Sequence, residues 1–225
     1  MNTTAIPIDE TYLAECRLLP GWFGFFTQII LLSVSLLVLV GKKTLDHSDR
    51  TWFEFGLDSS KQVFGSVWVH LLNLWVSVKL SHKSGGDACD WYWVNIVVDC
   101  TIGTLIEYGL FGLFMSVLKG ERKSDFDSGV YFQNGNVCLR RYWKQLGLWL
   151  FVCTVMKLCV VEGMRKGKRV LLSLAGFLLT PFSTNMHAKL MVVMIVTPCV
   201  FNSFQLWVVD NLIKKKSEKE NILLA

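Results

Sequence analysis

The chain has 225 residues, of which 52% are apolar and 18% charged, with nine Trp and a mean hydropathy of +0.41. Soluble domains carry about 25% charged residues, so a disordered, collagen-like or nucleic-acid-binding chain is excluded. The formal charge of +5 sits in Lys and Arg between apolar blocks and at the C-terminus, where such residues orient membrane helices. The blocks run to about 20 residues, the length that crosses a hydrocarbon core at about 1.5 Å per residue. The fold expected is all-α, a polytopic membrane helix bundle of about five transmembrane helices.

The first block, residues 22–40, follows Asp9, Glu10 and Glu15 and ends at Gly41, Lys42 and Lys43. No basic stretch or small-residue cleavage site precedes it, so it reads as a retained helix. Acid before it and lysine after it set the N-terminus outside the cytosol. Asn2-Thr3-Thr4 is a glycosylation sequon compatible with that side. Blocks 52–78 and 91–118 follow, each opening with Trp, the usual interface anchor. The fourth block covers about 143–161. The last, about 190–213, carries Pro198 and stops at Lys214, Lys215 and Lys216. Pro198 removes a backbone hydrogen bond and is expected to kink its helix.

Five spans place Lys42, Lys43, Arg50, Lys119, Arg122, Lys123, Arg140, Arg141 and the terminal lysines in the cytosol. Arg165, Lys166, Lys168 and Arg169 fall on the other side. The apolar run 170–179 behind them has about ten residues, too few to cross as a straight helix. A re-entrant or interfacial element fits there, and so does a long fourth helix running through it. The chain thus divides into a short non-cytosolic segment (1–21), a multipass domain (22–213) and a short basic cytosolic tail (214–225).

A charged side chain at membrane depth costs about 2.5–3.5 kcal/mol on insertion scales, and this chain has several. In the second span Asp58, Gln62, Gly65, Val69 and Asn73 recur at helical spacing, with Lys61 and His70 flanking. In the third, Asn95, Asp99, Gly103 and Glu107 recur every fourth residue. Each set forms one stripe. The short connection between these spans makes them antiparallel neighbours. Counted from that turn, His70 and Asp99 lie roughly 12 Å deep, Asn73 near Asn95, and Lys61 or Gln62 near Glu107. The expectation is a ladder of matched partners, Lys61 with Glu107 among them.

The ordinary role of such groups is helix glue, worth about 0.6 kcal/mol per contact. A sharper one is an ion or proton path along Asp58, Asp99 and Glu107. A catalytic one would use His70 as base with Asp99 orienting it. No Ser nucleophile elbow, HExxH or paired-His site accompanies them, so no enzyme, prosthetic group or metal is expected. Asp210 and Asn211 end the last span, with Lys214 the expected counter-charge for Asp210. Gly109, Gly112 and Ser116 supply small residues for close helix approach.

Seven cysteines show no CxxC or Cys/His metal spacing. Cys100, Cys153, Cys159 and Cys199 fall in apolar blocks and read as buried, inert thiols. Cys16 and Cys89 lie just outside the predicted spans, and an oxidising lumen would let them pair if both face it.

The run Trp52-Phe-Glu-Phe-Gly-Leu-Asp58-Ser-Ser-Lys61-Gln62, with Gly65, His70 and Asn73, resembles the signature of the STIMATE family, also called the vacuolar membrane protein family. Cys89-Asp-Trp91-Tyr92-Trp-Val-Asn95-Ile-Val-Val-Asp99-Cys-Thr101-Ile-Gly103 is similar to its third-span motif, and Trp207-Val-Val-Asp210-Asn211 to its last. The similarity runs from about residue 16 to 216. It implies a multipass protein of the endoplasmic reticulum or the vacuolar membrane that regulates calcium handling without catalysis and without a cofactor. Animal members of the family gather at reticulum junctions with the plasma membrane and support calcium influx after store depletion by binding the sensor STIM. A STIM-like sensor or another membrane protein is then the implied partner, beside the lipid bilayer. The family pattern also implies a disulfide between Cys16 and Cys89. Two features depart from it: animal members extend into a long cytosolic tail, and residues 165–189 match poorly. From the residues alone, the alternative is a small transporter or ion-conducting protein using the acidic and histidine stripe.

Overall fold

The computed structural model describes residues 21–45, 51–84, 87–118, 125–127, 131–133 and 136–213. Five helical spans are long and apolar enough to cross a membrane: Gly24–Leu45, Trp52–Leu80, Cys89–Val117, Leu139–Phe182 and His187–Asn211. The large apolar side chains point outward, with Trp22, Leu105 and Phe177 about three-quarters exposed, while Asp58, Asp99, Glu107, Lys157 and Asp210 are buried. This inverts a water-soluble protein. It follows from lipid as solvent, which is indifferent to Leu and Phe but cannot solvate a charge.

The first helix, Gly21–Leu45, runs through Gly41 and carries Lys42 on its last turns. The second, Trp52–Ser84, starts at a capping box. The Glu54 backbone N–H donates to the Thr51 hydroxyl at 3.2 Å, and the Glu54 carboxylate accepts from the Thr51 N–H at 2.9 Å. The third span joins Ala88–Val98 to Thr104–Val117 through a π-helical turn, Asp99–Gly103. A two-residue hairpin, Phe132–Gln133 against Asn136–Val137, precedes the fourth span.

The fourth helix settles the ambiguous basic segment. It is continuous over 41 residues, Leu139–Leu179, because nothing in Arg165–Arg169 breaks a helix. Glu162 pairs with Arg165 at 3.3 Å and Lys166 at 3.6 Å on its exposed face. Beyond them Ala175 and Leu179 turn inward and pack in the core. In the fifth span, Met186–Met191 and Thr197–Ile213 flank a π-helical segment, Val192–Val196. The break expected at Pro198 thus takes the form of a widened turn just before it.

The first span packs along the fifth, the second against the third and fourth, and the third against the fourth and fifth. Trp91 is wholly buried among Met156, Val160 and Met164, so it is a core residue and not an interface anchor. Trp52 and Trp143 remain exposed. The close approaches are at Gly65, against Trp149, and Gly103, against Met156. Gly109 and Gly112 face open space, because two residues past Glu107 a helix has turned about 200° away from the inward stripe.

Candidate functional site

Both polar stripes turn inward, and Asp99 and Glu107 are each 1% exposed. Their partners come mainly from the fourth and fifth spans. Asn95 and Asp99, one turn apart on one face, converge on Lys157 of the fourth span. Its Nζ lies 2.9 and 2.8 Å from the two Asp99 carboxylate oxygens and 2.8 Å from Asn95 Oδ1. Asn95 Nδ2 donates to the Ser77 hydroxyl at 2.8 Å, and Ser77 donates to the Asn73 carbonyl at 2.6 Å. Three spans are joined at one depth.

The Lys61–Glu107 rung expected from depth counting is replaced by other pairs. Lys61 lies 3.1 Å from Asp58, one turn earlier on its own helix, and donates to Gln145 Oε1 of the fourth span at 3.0 Å. The Tyr131 phenol donates to the same Asp58, and the Lys61 ammonium sits 5.1 Å from the Tyr131 ring centroid. Gln62 turns to the fifth span, donating to Asp210 at 3.1 Å. Glu107 accepts from Gln205 Nε2 at 3.4 Å. Among the described residues no cation lies within ion-pair distance of Glu107.

Asp210 pairs with Lys42, at 3.3 Å. Lys42 also donates to Asn211 Oδ1 at 2.8 Å and to the Trp207 carbonyl. Lys214, its expected counter-charge, lies outside the described residues. The reason is the length of the first helix, which carries Lys42 back against the fifth span instead of into a loop. At the opposite end Lys189 bridges Asp87 at 2.8 Å and Asp90 at 2.7 Å. His70 meets Tyr92, with Nδ1 3.2 Å from the phenol oxygen, and is not oriented by Asp99.

Lys157 and Gln205 are the partner positions that the stripe pattern misses. A lone lysine inside the apolar block of the fourth span was the available signal, since such a charge needs an acid from elsewhere.

Outside the spans, Asp125 pairs with Lys144 at 2.5 Å and Arg141 at 3.2 Å. The hydrogen bond from Lys144, ahead of that from Arg141, holds its carboxyl below the ordinary carboxylate range. Cys89 is disulfide-bonded. Its implied partner Cys16 lies outside the described residues. Cys100 and Cys153 are buried free thiols as expected, whereas Cys159 is exposed on the outer face and Cys199 half-buried. Among the described residues no group of three or more His, Cys, Asp or Glu is placed to hold a metal ion.

Where these networks meet, a cavity of about 50 Å³ is lined by Gln62, His70, Asn73, Asp99, Glu107 and Gln205. That is room for a few water molecules at most.

The model of the STIMATE family matches residues 89–215, more than half of the chain. The chain belongs to the STIMATE family. The matched stretch takes in Asp99, Glu107, Lys157, Gln205 and Asp210, so the polar interior lies largely within the part shared with STIMATE proteins. A vacuolar membrane protein of Saccharomyces cerevisiae is 28% identical over 228 residues, covering 93% of this chain and 83% of the relative. No solved structure matches the chain significantly. This STIMATE-family chain is an integral, multipass helical membrane protein.

Proposed function

We propose that the chain is a non-catalytic protein of an endomembrane, reticulum or vacuole, that regulates calcium handling through contacts with other membrane proteins. Its N-terminus is non-cytosolic and its C-terminus cytosolic in this reading, and a STIM-like sensor is the first partner to test. The observation that carries the non-catalytic part is the pairing of buried charge. Asp58, Asp99 and Asp210 each meet a lysine, and two of those pairs tie different spans together. Buried pairs of this kind hold helices in register and leave few charges free for transport. Family membership and the vacuolar name of the yeast relative support the endomembrane and the calcium role.

The experiment is loss of the gene in cells carrying a cytosolic calcium dye. Calcium influx after store depletion should fall and recover with the full chain. Influx indifferent to the deletion would sink the reading, and a tagged copy imaged against reticulum and vacuole markers decides the compartment.

One observation favours the alternative of an ion-conducting protein: Glu107, with no cation at ion-pair distance among the described residues, lines a polar cavity together with His70. Full-length protein in liposomes with a calcium or proton dye should stay silent under the first reading. Flux that Glu107→Gln abolishes would establish the second.

A further inference from the structure

A second, larger space adjoins the polar cavity. A groove of about 430 Å³ opens between the first and second spans, walled by Leu31, Leu32, Val67, Leu71 and Leu74. Val67 and Leu71 stand at its mouth, each about half exposed on the outward apolar surface. Ser66, His70, Asn202 and Leu206 line both the groove and the cavity, so one leads into the other. Protein interiors are close-packed, and facing helix stripes held this far apart call for something between them.

We propose that groove and cavity form one intramembrane site for a neutral, sterol-sized lipid bearing a single hydroxyl group, the hydroxyl lying at Ser66 and His70 and pointing into the cavity. The polar atoms there specify the head. Among the described residues, Gln62 Oε1, Asn73 Oδ1, His70 Nε2 and Trp149 Nε1 are buried and have no hydrogen-bond partner, and Gln28 Nε2 is in the same condition in the groove. Gln62 and Asn73 are themselves more than nine-tenths buried. The set mixes acceptors with donors. A hydroxyl serves both kinds at once, because it has one donor and two acceptor lone pairs.

Other heads fit less well. A carboxylate only accepts, and would face Asp99 and Glu107 across the cavity. An ammonium only donates and leaves Trp149 and Gln28 without an acceptor. A phosphate headgroup brings the same charge conflict as the carboxylate and is large for a 50 Å³ cavity. The apolar body follows from the groove, whose volume lies in the range of about 300–1,000 Å³ that holds one compact ligand. The site does not depend on the calcium role or on the partner proposed above.

The test uses the full chain in lipid nanodiscs and a photoreactive sterol with a free hydroxyl. Labelling should saturate, map to residues 28–35 and 63–74, and be competed by unlabelled sterol. Ser66→Trp, at an exposed position where groove meets cavity, should lower labelling at least tenfold, while Leu105→Trp on the lipid face of the third span leaves it unchanged. On the unaltered protein, sterol whose hydroxyl is esterified should fail to compete, which decides the matter even if Ser66→Trp does not fold. Labelling spread over all lipid-facing segments would overturn the proposal, as ordinary solvation by lipid tails. Equal competition by the ester, by a fatty acid, by diacylglycerol or by a long-chain amine would overturn it too, as would full labelling of folded Ser66→Trp.

Discussion

Lys157 lies within 2.9 Å of both oxygens of Asp99, and the two side chains are 3% and 2% exposed. A pair this dry is fragile to the loss of one member, because the survivor is left as an unpaired charge; removing one partner costs about 3–5 kcal/mol. Lys157→Met and Asp99→Leu should therefore each lower the thermal unfolding temperature in detergent sharply. The double variant should recover most of the loss, since apolar replacement of a whole buried pair is often neutral or better. A double variant as unstable as the worse single one would mean that the two residues do not depend on each other.

Asp210 accepts from Gln62 of the second span and pairs with Lys42 of the first, so one carboxylate gathers three spans. Asp210→Leu strands both partners and should be the more damaging change, at about 3–5 kcal/mol. Lys42→Gln keeps a donor within reach of Asn211 and the Trp207 carbonyl, and should cost about 1–3 kcal/mol. Unfolding in detergent with both variants tests the ranking, which a merely solvated Lys42 would reverse or flatten.

The spans and their inward stripes were legible because both are local properties: a run of apolar residues sets length, and a four-residue repeat sets a face. The partners were not legible. Depth counting along the hairpin of the second and third spans takes these two stripes to face each other along their length, whereas beyond the contact of Asn95 with Ser77 they turn toward the fourth and fifth spans, and Lys157 and Gln205 supply what Lys61 does not. Helix ends misled for a similar reason. Gly41 costs a helix only about 1 kcal/mol relative to Ala, too little to stop one whose next residue, Lys42, has Asp210 to reach. Likewise Trp91 carries the sequence mark of an interface anchor, and only packing against Met156 and Val160 shows it to be core.

Gly65 is where the second span comes closest to the fourth. A Cβ there would overlap Trp149 Nε1, so Gly65→Ala must push the indole aside, and overpacking of this sort costs about 1–3 kcal/mol. Gly109→Ala and Gly112→Ala meet open space and should stay within about 0.5 kcal/mol of the unaltered protein. If Gly109→Ala proves the worse in melting measurements, the outward face of the third span is a contact surface in the folded protein.

Asp125 links the segment before the fourth span to Arg141 and Lys144. Its carboxyl is held below the ordinary range, so the charged form is the one that folding favours. The contribution is present above the unfolded value, about pH 4, and is lost as pH falls through the lowered folded value. Asp125→Asn should remove that acid dependence while leaving neutral-pH spectra unchanged. Amide exchange at 125–127, followed from pH 7 to 3, reads it. An unchanged exchange profile in Asp125→Asn would show that the two basic side chains do not anchor the segment.

Cys89 is disulfide-bonded, whereas Cys100, Cys138, Cys153, Cys159 and Cys199 are free. Cys16 is the partner that the family pattern implies. A bond between them would close a loop holding the whole first and second spans and anchor the start of the first span to the start of the third, where Asp87 and Asp90 also hold Lys189 of the fifth. Loops of this length gain about 4 kcal/mol from closure in the chain-entropy account, so Cys16→Ser and Cys89→Ser should destabilise to a similar extent, and the double variant no further. Peptide mapping without reductant should yield the 16–89 crosslink. Free thiol at Cys16, or unequal effects of the two single variants, would assign Cys89 to a different partner.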